Sequence, residues 1–304
     1  MKKMIKVVSI IVATVLIVLI LAMFFLAKTV YDKRFNFKVE ATPGAINTRI
    51  LKRESHTFKT NNNNNLEAFL YESADIETEK KAVLVFAHGL GASQSGYIDI
   101  YEYMVSRGYY VFAYNITATG GSDGEVIGGI PQGVIDLDNA ISYVKTIEKT
   151  KNLPIVLMGY SWGAISVTNV LNYQPDVKAV AALAGCNESM DLLRYHGYEM
   201  VGPATDLFLP FARLYEFFKY GEYAFSSSMK GFENSNAAVM IVHDVDDKTV
   251  PFEAGYKKYY EKYRDNERFV FKQYNGRDHN LLYHTGSLDL QLISNIADFF
   301  DLHV

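Results

Sequence analysis

The apolar positions of this chain fall into runs of three kinds. The first, residues 7–27, contains no charged side chain, and only Ser9 and Thr14 are polar. As a helix this run would reach about 31 Å, close to the thickness of a bilayer's hydrocarbon core. The second kind is short and all but unbroken: 82–87 (AVLVFA), 154–158, 177–184 (interrupted by Lys178) and 237–242. Runs of that length without alternation predict strands buried on both faces. The third kind has helical spacing, as in 132–150, where Val134, Leu137, Ile141, Val144 and Ile147 repeat. Helices are also predicted at 98–107, 164–173, 253–264 and 288–300, and strands at 109–115 and 268–274. Strand and helix alternate, which predicts a mainly parallel sheet covered on both faces. Two earlier strands, near 49–59 and 66–72, flank five consecutive asparagines at 61–65. Asparagine tolerates left-handed backbone, so this stretch is read as a hairpin turn.

One segment breaks the alternation. Residues 187–235 form a long insertion between two predicted strands, rich in aromatic side chains. Phe211, Leu214, Tyr215 and Phe218 fall at helical spacing within it. The plain expectation is that this face packs on the domain. The sharper one is a helical cap whose inner face, with Phe208, Phe211 and Tyr215, lines an apolar substrate pocket.

Charge sharpens the reading of the first run. The chain has 30 basic and 34 acidic residues. Residues 1–40 hold seven of the basic and two of the acidic ones, so the remainder carries 23 against 32. An acidic body argues against nucleic-acid binding. A cleaved signal sequence competes with a membrane anchor for residues 7–27. Its apolar region is usually only about 7–15 residues long, and no small-x-small cleavage site follows. The chain is therefore divided into a short basic tail (1–6), a transmembrane anchor (7–27), a juxtamembrane linker (28–45) and a catalytic domain (46–304) with its cap at about 187–235. Lys2, Lys3 and Lys6 precede the anchor, and Lys28, Lys33 and Arg34 follow it. The very short basic tail favours a cytoplasmic N-terminus, with the catalytic body outside the cytoplasm of a single-pass membrane protein. The single cysteine, Cys186, rules out an intrachain disulfide and a multi-cysteine metal site.

Candidate chemistry lies where the predicted strands end. Gly159-Tyr160-Ser161-Trp162-Gly163 stands between a strand and a helix, the setting of a nucleophile elbow. A second G-x-S-x-G, around Ser122, leads into a glycine-rich stretch without helical period and is read as a loop. A serine needs a base and a group to orient it. His279 follows the last predicted strand, and His284 is its runner-up. The loop after 237–242 offers three carboxylates, Asp244, Asp246 and Asp247, among which the order Ser–Asp–His does not choose.

With these residues in place, the chain resembles the α/β-hydrolase superfamily over residues 50–302. It is most similar to monoacylglycerol-lipase-like and BEM46-like serine hydrolases. The resemblance implies an α/β-hydrolase fold, a mostly parallel sheet with helices on both faces and a helical cap. Alignment of His243 and Val250-Pro251 on the family's H-G-x-x-D-x-x-V-P implies that Asp247 is the acid, although Asp244 stands where the family has glycine. His88 to Gly91 matches the family's H-G-x-G, which makes the Leu90 N–H an oxyanion donor beside that of Trp162. Thr117 to Gly124 keeps the glycines and serine of another family loop but lacks its arginine. The implied activity is ester hydrolysis through an acyl-enzyme, on lipid-like or small acyl esters, with no metal and no organic cofactor. A peptidase or amidase of aminopeptidase type and a non-catalytic binding protein on the same scaffold are the alternatives. Acyl length and oligomeric state are not written in the sequence.

Overall fold

The computed structural model describes residues 2–40, 50–60, 63–74, 80–284 and 286–304. A long helix α1 (Lys2–Phe35) leads into the hairpin β1 (Leu51–Lys59) and β2 (Asn65–Ser73). Strands and helices then alternate: β3 (Ala82–Ala87), α2 (Ile98–Ser106), β4 (Tyr109–Tyr114), α3 (Ile130–Val144), β5 (Ile155–Tyr160), α4 (Trp162–Asn169) and β6 (Ala179–Leu183). Three helices interrupt the pattern, α5 (Ser189–Val201), α6 (Thr205–Tyr220) and α7 (Ser228–Asn234). The chain closes with β7 (Ala238–Asp244), α8 (Tyr256–Tyr263), β8 (Phe269–Tyr274) and α9 (Leu290–Asp301).

The main sheet has the strand order β1-β2-β4-β3-β5-β6-β7-β8. β2 pairs antiparallel with both neighbours, and the pairs from β4 to β8 are parallel. β3, β5 and β6, and β7 as far as Val242, are apolar because both of their faces are covered. Helices α2 and α9 pack on one face, and α3, α4, α7 and α8 on the other. This is the α/β-hydrolase fold. In the hairpin, Asn63 takes a φ of 62°, the left-handed conformation expected of the asparagine run, and Lys59 pairs with Asn65. Asn61 and Asn62 lie outside the described residues.

The N-terminal helix is long and apolar enough to cross a membrane, and almost none of its apolar stretch is buried. It does not stop at residue 27 with a linker after it, as the sequence reading has it. The helix runs on to Phe35 because its last turns find partners. Lys28 pairs with Asp32 one turn on, at 2.6 Å, and Ala27, Tyr31 and Phe35 are buried. Tyr31 donates to Glu216 of α6 (2.8 Å), and Tyr215 of α6 donates to Asp32 (2.6 Å). Beyond the helix, the Val39 N–H donates to the Ala118 carbonyl and the Val39 carbonyl accepts from Gly120. The described part of the expected linker is thus stitched to the body, while residues 41–45 lie outside the described residues.

The face of α6 that turns inward also differs from the expected one. Thr205, Ala212, Glu216 and Tyr220 are its buried positions, whereas Leu214 and Phe218 are exposed. Tyr215 packs its ring on Tyr31 of α1, with centroids 5.5 Å apart. Within the apolar stripe read from the sequence, the rings of Tyr215 and Phe218 meet α1, and Leu214 is exposed.

Candidate active site

The turn from β5 into α4 is held open by what its glycines lack. A Cβ on Gly159 would collide with the Gly163 carbonyl, and a Cβ on Gly163 with the carbonyl of Ala87 at the end of β3. Between them Ser161 adopts φ 57° and ψ −117°, a strained conformation for a residue with a side chain. Its N–H donates to the Leu183 carbonyl of β6 at 2.8 Å, which pins the turn to the sheet. Trp162 is the first residue of α4, so its N–H is one of the helix donors without an intrahelical partner.

His279 reaches this serine from the loop after β8. Its Nε2 lies 2.8 Å from Ser161 Oγ, and its Nδ1 lies 2.8 Å from Asp247 Oδ2. The carboxylate can only accept, so Nδ1 carries the proton and Nε2 faces the serine hydroxyl as acceptor. The Tyr160 hydroxyl donates to the His279 carbonyl, and the two rings stack with centroids 5.3 Å apart. The structure thus brings Ser161, His279 and Asp247 into one hydrogen-bonded line. The side chain of His284 lies outside the described residues.

The loops carrying the acid and the histidine are laced together by the carboxylates that the sequence left in competition. Asp244, fully buried, accepts from the N–H groups of Asp246 and Arg277, each at 2.8 Å. Asp246 accepts from the Gly276 N–H at 3.1 Å. Asp278, with φ 54°, accepts from the Lys248 N–H at 3.0 Å. Asp247 accepts from the N–H groups of Thr249 and Val250, each at 2.9 Å, through its second oxygen. Burial by itself would raise the pKa of Asp247. Hydrogen bonds from His243 and His279, the His279 charge and the Val250 N–H outweigh it and hold the carboxyl far below the usual carboxylate range.

Sequence reasoning used His243 only as a landmark, yet its Nε2 lies 2.9 Å from the Val250 carbonyl and 3.3 Å from Asp247 Oδ2. It braces the same carboxylate oxygen that His279 meets. Tyr160 was missed as well. Its place in the elbow gives no signal, because that position of the motif admits any residue.

The turn 88–91 lies against the elbow. A Cβ built on Gly89 would stand 3.5 Å from the Ser161 Cβ, so Leu90 follows directly beside the serine. His88 is fully buried, its Nδ1 2.9 Å from the Gly89 carbonyl and its Nε2 3.2 Å from the Ile116 N–H. Burial lowers its pKa to about 4, so the ring is a neutral strut for this turn. Ser122 is engaged elsewhere. Its hydroxyl donates to the Asn115 carbonyl (2.7 Å) and accepts from the Glu67 N–H (2.9 Å), fastening its loop to β2. Of the three aromatic residues expected to line a pocket, Phe208 borders a cavity between α1 and the cap. Tyr215 is turned to α1, and Phe211 is half-buried.

Residues 78–201 match the family model described as serine aminopeptidase, S33. Among curated proteins none matches the chain. An esterase of Pyrococcus furiosus superposes with a TM-score of 0.65 at 14% identity, covering 88% of this chain and 99% of its own. An acylaminoacyl peptidase of Pyrococcus horikoshii gives 0.63 at 16% identity, over 84% of this chain and 42% of its own. A Butyrivibrio proteoclasticus protein solved with ferulic acid bound gives 0.62 at 18% identity, over 81% and 98%. These likenesses show the α/β-hydrolase fold.

Proposed function

We propose that this protein is a membrane-anchored serine hydrolase that cleaves carboxylic esters through an acyl-enzyme. The observation that carries the reading is the line Ser161 Oγ, His279 Nε2, His279 Nδ1, Asp247 Oδ2, with both hydrogen bonds at 2.8 Å. His279 takes the Ser161 proton as Oγ attacks the ester carbonyl. The N–H groups of Leu90 and Trp162 receive the oxyanion, and Asp247 stabilises the imidazolium. Collapse of the tetrahedral adduct expels the alkoxide, which leaves with the proton from His279. Water then repeats the sequence on the acyl group and returns Ser161 to its free state. Residues 7–27 anchor the chain in the cell membrane, and the basic tail stays in the cytoplasm, so the catalytic body faces outward.

The test is labelling by a fluorophosphonate probe. Ser161→Ala is expected to abolish it and Ser122→Ala to retain it, because the Ser122 hydroxyl is spent on its loop. Labelling that survives Ser161→Ala, or vanishes in a folded Ser122→Ala variant, would reverse the assignment. A peptidase or amidase is the second reading, supported by the match to the serine aminopeptidase family model over residues 78–201. Turnover of p-nitrophenyl esters against aminoacyl anilides separates the two.

A further inference from the structure

The docked end of α1 borders a half-open cavity of about 190 Å³ that α5 and α6 also line. Ala27, Val30 and Tyr31 line it from α1, Leu193 from α5, and Phe208 and Ala212 from α6. Positions 27, 30 and 31 are one face of the helix. Tyr31 and Leu193 pack in the same cluster as Phe35 and Trp162, and the Phe35 ring meets the Trp162 ring at 5.6 Å. Trp162 follows Ser161, so a path of packed rings, Tyr31 to Phe35 to Trp162, runs from the cavity's wall to the elbow.

The same contacts fix the height of the cap. The Phe24 ring touches those of Tyr215 (6.2 Å) and Phe218 (6.0 Å). Phe24 lies three residues inside the uncharged segment that ends at Ala27, a depth of about 4.5 Å along a helix. Phe218 is 70% exposed at that level, and Met200, 78% exposed, stands at the rim of the cavity. Above them Lys219 and Asp32 approach at 3.6 Å, as charges do at a membrane surface. Exposed aromatic rings beside an uncharged helix continue its apolar surface, and hydrocarbon is the medium that covers both.

We propose that the α5–α6 edge of the cap is seated in the bilayer alongside α1, and that the docked end of α1 forms a wall of the substrate site. The cavity then takes the acyl chain of a membrane lipid ester. This rests on the reading of α1 as a membrane span and of Ser161 as the nucleophile.

The full-length protein is reconstituted in phosphatidylcholine vesicles containing doxyl-labelled lipid, with bimane attached at Ile20→Cys, Phe218→Cys or Leu302→Cys. The native Cys186 is fully buried and stays unlabelled. Quenching is expected at residues 20 and 218 and not at 302. Quenching at 20 without quenching at 218 overturns the seating and leaves the anchor standing. No quenching at 20 removes the anchor, and the seating falls with it. In a second arm, Val30→Trp narrows the cavity from a position that is 56% exposed, where the indole can be housed. The ratio of kcat/KM for p-nitrophenyl decanoate over acetate is expected to fall about tenfold, the equivalent of about two methylenes left in water. An unchanged ratio overturns the role of the cavity. A folded wild type that cleaves neither ester defeats the ester reading and the cavity's role with it, while quenching at 218 would still uphold the seating.

Discussion

Three carboxylates stand within four residues of each other from the last residue of β7 onward, and each accepts hydrogen bonds from a different quarter. Asp247 faces His279, Asp244 holds the Arg277 N–H, and Asp246 holds that of Gly276. Asp247→Ala is expected to lower kcat on the order of 10⁴-fold, roughly 5.5 kcal/mol of transition-state stabilisation. Asp246→Ala should stay within a few-fold of the parent, since one half-exposed bond is lost. Asp244→Ala leaves the part-buried N–H groups of Asp246 and Arg277 without this acceptor and should cost about 1 kcal/mol of stability. Turnover of the three variants, each checked for folding by circular dichroism, decides between them. A dead Asp246→Ala beside an active Asp247→Ala would move the acid by one residue. Residue type and chain order do not separate these three side chains, and only the family register to Val250-Pro251 picks Asp247. In the structure the path of two loops some thirty residues apart brings that residue to His279. The elbow was legible because its signal is local: two glycines, one serine and a strand running into a helix.

At the scale of elements, α6 shows how an apolar stripe misleads. Its aromatic positions promised a face against the domain, but the inward face carries Glu216 at its centre. Periodicity reports that a stripe is covered and not what covers it. The partner here is α1, nearly two hundred residues upstream. Glu216 is fully buried, and its pKa rises to about 7. Burial drives the rise, the hydroxyls of Ser189 and Tyr31 and the charge of Arg213 oppose it, and Glu188 adds to it. The sign follows. The folded state binds this proton more tightly than the unfolded state, so its contribution declines as pH rises from about 4.5 to about 7 and stays low above that. Fully developed, the loss is on the order of 3 kcal/mol. Hydrogen exchange in α6, corrected for intrinsic rates, should therefore be faster at pH 8 than at pH 5.5, and Glu216→Gln should flatten the difference. Equal pH dependence in the variant would assign the effect to another group.

For the whole molecule, the mainly parallel sheet and its flanking helices follow from the alternation of unbroken and periodic runs, because a parallel sheet buried on both faces announces itself in composition. The joint between the N-terminal helix and the cap did not, since it depends on contacts between segments far apart in the chain. Deleting residues 1–38 removes Tyr31 and Phe35 from the cluster around Trp162. Losing two buried aromatic side chains should cost several kcal/mol, or a drop on the order of 10 °C in Tm. A shortened chain melting within about 2 °C of the full protein in the same detergent would show the joint to be dispensable. The joint also sets a distance. Eight residues separate Ala27 from Phe35, about 12 Å of helix, and Phe35 rests on the neighbour of Ser161. A serine carried at a fixed height above a surface samples a sheet of molecules and not a volume. Its turnover would then follow the mole fraction of substrate within the membrane plane, and diluting that plane with inert lipid would slow it even at constant bulk concentration.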